Sequence, residues 1–210
     1  MKNKMMVWIC VGLVGLSGCA TTKKVEMEIS GCPQYFRDNV GEAKILPIWS
    51  AIIPIMGGPV GWLNKDGSYT LTAIADRKVR LHEAFHSFDF NSYHRDRDAH
   101  DAFVRDWGGI PRQNIVVYLA AAAVPIIDKI PIPGYVSIYG LSNGVEDAAE
   151  TFSFGAQGKS RNDKELMRKW RVVDRYARGH YVQYPGVPIL QNETEIQPGI
   201  YEAGLIGWAQ

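Results

Sequence analysis

The chain has 210 residues, a net charge of +1 and 46% apolar residues. Near-neutrality and the apolar fraction remove any compositional argument for nucleic-acid binding or for disorder. A length of this order is one domain with room for a sizeable core, so any partner has to be argued from a site.

Lys2 and Lys4 form a positive n-region, Met5 to Leu16 an apolar h-region, and Leu16-Ser17-Gly18-Cys19 follows at once. This is the anatomy of an export signal over residues 1–18, and the tetrapeptide resembles the lipobox of bacterial lipoproteins, in which the cysteine is acylated and cleavage occurs just before it. An ordinary membrane anchor is the competing reading, but the apolar stretch is shorter than the roughly 20 residues a span needs. With Cys10 removed and Cys19 lipidated, Cys32 is left alone, which excludes an intramolecular disulfide. It reads as a small buried hydrophobe. Residues 19–30, polar at Thr21, Thr22, Lys23 and Lys24, read as a lipidated tether, and residues 31–210 as a single domain. Ala20 is not the aspartate that retains lipoproteins at the inner membrane of two-membraned bacteria, so the expected location is the cell envelope, at the outer membrane in such a host.

Ile45 to Leu63 is apolar but interrupted by Pro47, Pro54, Pro59 and several glycines, which reads as buried strand and loop bordering a cleft. Asn64-Lys65-Asp66-Gly67 is a turn signal, and Ser68 to Ala73 alternates as a strand does. Asp76 can cap the helix that follows, whose Leu81, Phe85 and Phe88 recur at helical spacing. The charged run Asn91 to Asp101 reads as a solvated face or loop, and Ile115 to Ile127 as a buried helix ended by a Pro-rich loop. Gly144 to Ser153 reads as a helix. Another starts at Ser160, with Asp163 completing a capping-box pattern, and the tail from Tyr181 reads as irregular.

The chemistry concentrates in His82-Glu83-Ala84-Phe85-His86. Residues four apart on a helix differ by about 40° in azimuth and about 6 Å along the axis, so both imidazoles face one side. Such a pair can bind one Zn²⁺ through nitrogen, with Glu83 reaching a water beside the ion rather than the ion itself. That is the arrangement for metal-assisted hydrolysis. A third protein ligand is needed. Ser92 stands where a metzincin would carry its histidine, so that class is excluded. His94, His100 and His180 are possible but read better as exposed or capping residues. Glu146 is the better candidate, with Glu150 one turn later placed to accept a hydrogen bond from the outer nitrogen of a metal-bound histidine. Neighbouring Ala148, Ala149 and Phe152 make this helix mostly buried, and two buried carboxylates call for a cation.

Tyr139-Gly140, Asn143, Glu146, Ala149-Glu150 and Phe152, downstream of His82-Glu83-x-x-His86, resemble the catalytic domain of the anthrax lethal factor group of gluzincin metallopeptidases. The resemblance spans about residues 76–154. It implies an α+β zincin-like domain in which a small sheet, an active-site helix and a second helix bearing the glutamate ligand assemble the site. It further implies one Zn²⁺ per chain held by His82, His86 and Glu146, Glu83 as general base, Glu150 behind the ligands, and Tyr139 stabilising the oxyanion. Phe85 departs from the small residue that many members of this broad class carry before the second histidine.

The expected function is a membrane-anchored zinc metallopeptidase, a hydrolase of peptide bonds in proteins or peptides at the envelope, with no nucleic-acid partner. Two other readings stand beside it. One is a non-catalytic lipoprotein with a closed structural metal site, for which Asp89 would be a fourth ligand. The other is a zinc amidase acting on cell-wall material.

Overall fold

The computed structural model describes residues 20–56, 58–108, 132–159 and 161–183. The export signal, Cys19, the apolar stretch 115–127 and the tail from residue 184 lie outside the described residues.

The chain enters through helix α1 (Thr22–Ser30), where the Thr21 side chain accepts from the Lys24 N–H, and α2 (Gln34–Asn39) follows. The described part of the segment read as a tether, residues 20–30, forms this helix and its lead-in. Ala20 and Val25 are buried with Cys32 in the main core, and Glu28 Oε2 accepts from Arg80 Nε at 2.8 Å. Of the polar residues there, Thr21 is the helix cap and Thr22 and Lys23 are exposed, while Val25 turns inward. Burial pushes the Cys32 thiol up to about 12, in keeping with an inert packed side chain.

Three short strands form one sheet: β1 (Ala43–Ile45), β2 (Gly61–Leu63) and β3 (Tyr69–Leu71). The order is β1-β3-β2, with β1 parallel and β2 antiparallel to the central strand. The turn expected at residues 64–67 joins β2 to β3, closed by the Gly67 N–H donating to the Asn64 carbonyl and by a left-handed glycine at φ +79°. The strand expected over residues 68–73 is thus the middle of the sheet, and all three residues of β3 are buried.

The link from β1 to β2 differs from the expected buried strand and loop. A 3-10 turn (Ile48–Ala51) runs into the single-turn helix α3 (Ile52–Ile55). Prolines 47 and 54 disfavour strand pairing, and helical spacing then gathers Ile48, Trp49, Ile52 and Met56 on one outward face. Those four side chains are 43%, 66%, 52% and 79% exposed, whereas Ser50 and Ala51 turn inward.

Helix α4 (Arg77–Arg95) begins where the Asp76 carboxylate accepts from the Val79 N–H at 2.9 Å, the cap that the sequence suggests. It continues through residues expected to be loop and ends at Asp96, which then caps α5 (Arg97–Trp107) by accepting from the Ala99 N–H. Asn143 starts α6 (Gly144–Ala156), and α7 (Lys164–Ala177) starts one turn later than expected because Asp163 itself is its cap. Tyr181, expected in an irregular tail, is buried within the short α8 (His180–Gln183).

The fold is α+β, mostly helical around a three-stranded mixed sheet. Its core lies between α4 and α6, where Ala84, Ala148 and Ala149 allow close approach. Phe152 stacks on Phe36 at 4.6 Å and packs on Phe85 at 5.1 Å, and Tyr176 closes over Phe88 and Phe103. Phe85 is therefore the core anchor of α4, which explains the bulky residue between the two histidines. Among the described residues no helix is long and apolar enough to cross a membrane.

Candidate metal centre

The α4–α6 packing sets His82 and His86 opposite Glu146. Asn143 holds α6 at its first turn, its side chain accepting from the Val145 and Glu146 N–H groups at 2.9 Å each. Glu146 therefore projects from a capped and defined helix start. Its Oε2 lies 2.9 Å from His82 Nε2 and 3.1 Å from His86 Nε2, and the two Nε2 atoms are 3.0 Å apart. A near-equilateral triangle of donors this size leaves a point about 2.0–2.1 Å from all three, the distance range of zinc–nitrogen and zinc–oxygen bonds. Two imidazoles and one carboxylate form a donor set that suits a divalent transition metal. The His82-His86-Glu146 group can hold a metal ion, and among the described residues no other group of three or more such side chains comes together.

The electrostatics agree. Burial alone would lower the His82 pKa, yet Glu146 and Glu150 outweigh it and hold the ring at about 10. Burial likewise favours protonated carboxyls, but His82 and His86 keep Glu146 well below the ordinary range, and His82 and Lys78 do the same for Glu150. The pocket is built for positive charge lodged between the carboxylates.

Glu150 stands behind the triangle as expected, its Oε1 3.3 Å from His82 Nδ1. That approach lacks hydrogen-bond geometry, so it acts as a close ion contact on the ring rather than a formed bond. Two residues not anticipated from the sequence fix Glu150. Ser137 Oγ donates to its Oε2 at 2.7 Å, and Lys78 Nζ sits 2.8 Å from the same oxygen. Lys78 precedes His82 by one helical turn, so the i, i+4 spacing carried a signal. Ser137, in a proline-flanked segment, carried none.

Glu83 is buried beside the histidines, and burial raises its carboxyl pKa. It packs against β2 at Gly61, where a Cβ would fall 2.6 Å from Glu83 Cγ. The missing side chain at position 61 is what makes room for this carboxylate. Tyr139 lies in a 3-10 turn (Tyr139–Leu141), its ring centroid 5.9 Å from that of His82. His86 and Glu146 are the partly exposed members, at 11% and 17% of their side chains, so the centre opens to solvent on their side.

The remaining histidines stay apart from the centre. His94 packs against Phe90 and Tyr93, His100 lies between Asp89 and Asp101, and His180 begins α8. Asp89 does not join the triangle, its Oδ1 being turned to within 3.5 Å of His100 Nε2. Compared with protein-family models, with curated proteins and with solved structures, the chain has no match in any of the three.

Proposed function

We propose that this chain is a zinc metallopeptidase of the gluzincin kind, anchored through Cys19 at the cell envelope and hydrolysing peptide bonds in proteins or peptides. The observation that carries the reading is the triangle of His82, His86 and Glu146 donors, 2.9–3.1 Å on a side, with a buried glutamate beside it. No fourth protein donor joins them among the described residues, which leaves the open position that distinguishes a catalytic site from a closed structural one.

Bound there, Zn²⁺ supplies Lewis acidity that makes water a better nucleophile and polarises a carbonyl. Glu83 accepts a proton from the attacking water as oxygen adds to the scissile carbon, and returns it to nitrogen as the C–N bond breaks. A carboxyl raised by burial is matched to both halves of that transfer, since it takes and releases a proton nearer neutral pH. Tyr139, beside His82, donates a hydrogen bond to the carbonyl oxygen as charge develops. Glu150, gripped by Ser137 and Lys78, keeps the His82 ring turned toward Glu146.

The test is Glu83→Gln. The variant should retain one zinc per chain by elemental analysis and lose at least about 10²-fold in turnover of a peptide library. A variant that keeps both metal and wild-type cleavage refutes the mechanism.

A further inference from the structure

We propose that the exposed apolar ledge formed by Ile48, Trp49, Ile52 and Met56 lies in the lipid bilayer surface, so that the domain is seated on the membrane rather than hanging from it. The proposal rests on the lipoprotein reading of Cys19.

The ledge presents four large apolar side chains on one face, each at least 43% exposed, on a two-turn excursion from the sheet. An apolar surface of this kind on an otherwise well-packed domain marks an interaction site. Its position identifies the occupant. Ala73 lies between the ledge and the start of the folded chain: its N–H donates to Ser50 Oγ at 3.1 Å, and its carbonyl accepts from the Ala20 N–H at 2.8 Å. Ser50 is the inward residue next to Trp49, so the inner side of the ledge turn, at Ser50 Oγ, and the Ala20 nitrogen lie within about 10 Å of each other along this path.

Ala20 directly follows the cysteine that would carry the acyl chains. Consecutive Cα atoms are 3.80 Å apart, and Ala20 is itself buried and hydrogen-bonded into the fold. No slack is left between lipid and domain, which brings whatever surrounds Ala20 to the bilayer. The ledge belongs to that neighbourhood, since Ala73 binds Ala20 through its carbonyl and Ser50, at the inner side of the ledge turn, through its N–H. Tryptophan, with an apolar ring and one N–H, favours the boundary between acyl chains and headgroups. Lys23, exposed in the first turn of α1, adds a positive charge suited to anionic headgroups at the same end of the domain.

The experiment uses the full chain with Cys32 replaced by alanine and a polarity-sensitive fluorophore on a cysteine introduced by Ile52→Cys. A control carries it on Lys164→Cys, an exposed position on α7, which packs on α5, α6 and α8. Both are reconstituted in vesicles of phosphatidylethanolamine and phosphatidylglycerol, and mass spectrometry reads the state of Cys19. The expected result is a lipidated Cys19, with a blue-shifted label at position 52 that is quenched several-fold more by acyl-chain quenchers than the control. With Cys19 lipidated, equal quenching of both labels by aqueous iodide overturns the docking surface and leaves the anchor intact. A label at position 52 shielded from iodide and from acyl-chain quenchers alike means that protein covers the ledge, which also overturns the proposal. An unmodified Cys19 removes the lipoprotein reading itself, and the proposal with it.

Discussion

Gly61 is the residue on which the proposed general base depends most directly. Any side chain there would start 2.6 Å from Glu83 Cγ and 3.1 Å from Leu71 Cδ2, and β3 holds the backbone in place on one side. Glu83 would have to give way. For Gly61→Ala we expect zinc content to hold and turnover to fall by about 10²-fold, the scale of a misplacement near 1 Å, read as kcat beside metal stoichiometry. Unchanged kcat would mean that the carboxylate adapts. At this scale the sequence was informative wherever one helix fixes geometry. His82, Glu83 and His86 follow from helical periodicity, and so do Glu146 and Glu150, the latter pair one turn apart behind an asparagine cap. Gly61 was not legible, because its meaning comes from a strand and a helix meeting across the fold. Ser137 is hidden for the same reason.

Among the elements, the joint between α4 and α5 was left open by the sequence, which reads residues 91–101 as a solvated face or loop. Alternating charge over residues 91–101 has no apolar period and so resembles solvated loop, yet Asp96 serves as the end of one helix and the cap of the next. The joint is held partly by His100, whose Nε2 is 3.5 Å from Asp89 Oδ1 and whose Nδ1 is 3.6 Å from Asp101 Oδ1, with Tyr93, Phe103 and Tyr176 around the ring. Burial would lower its pKa, but Asp89 and Asp101 outweigh that and raise it above 6.5. A raised folded-state value means that the charged ring stabilises the fold fully below pH 6.5 and that this contribution disappears as pH climbs through the raised value. Wild-type melting temperature should therefore decline across that interval relative to His100→Gln, measured as Tm against pH. Parallel profiles would show that the pair contributes nothing. The expected boundaries erred for a related reason at α7, where Asp163 caps the helix instead of sitting within its first turn.

For the molecule as a whole, the metal centre lies at the edge of the core rather than inside it. The aromatic cluster of Phe36, Phe85, Phe88, Phe152 and Tyr176 is fully buried, its rings packing on one another. The fold should survive loss of the ion, though with less stability, because an ion that binds only the folded chain adds about 2.7 kcal/mol when free metal is 100 times its dissociation constant. In a domain of this size that is several degrees of Tm. Chelation should lower Tm by that much and leave helical circular dichroism below the transition unchanged; collapse of the helical signal at room temperature would instead assign the ion a structural role. The α+β class and the two site-bearing helices were legible from pattern. The outward turn of the ledge was not, since four apolar residues among prolines look the same in sequence whether they face protein or lipid.

Arg80 sits in the first turn of the helix that carries both histidines, with its side chain only 8% exposed, and its carboxylate partner is Glu28. The guanidinium's other bond goes to the Ala75 carbonyl. A Glu28→Gln change, which keeps α1 in place, would leave that cation in a poorly hydrated interior without its counter-charge, a penalty of about 3–5 kcal/mol at the foot of the site. The stretch that looks like a leash is a foundation stone, because it holds the counter-charge for the first turn of the histidine helix.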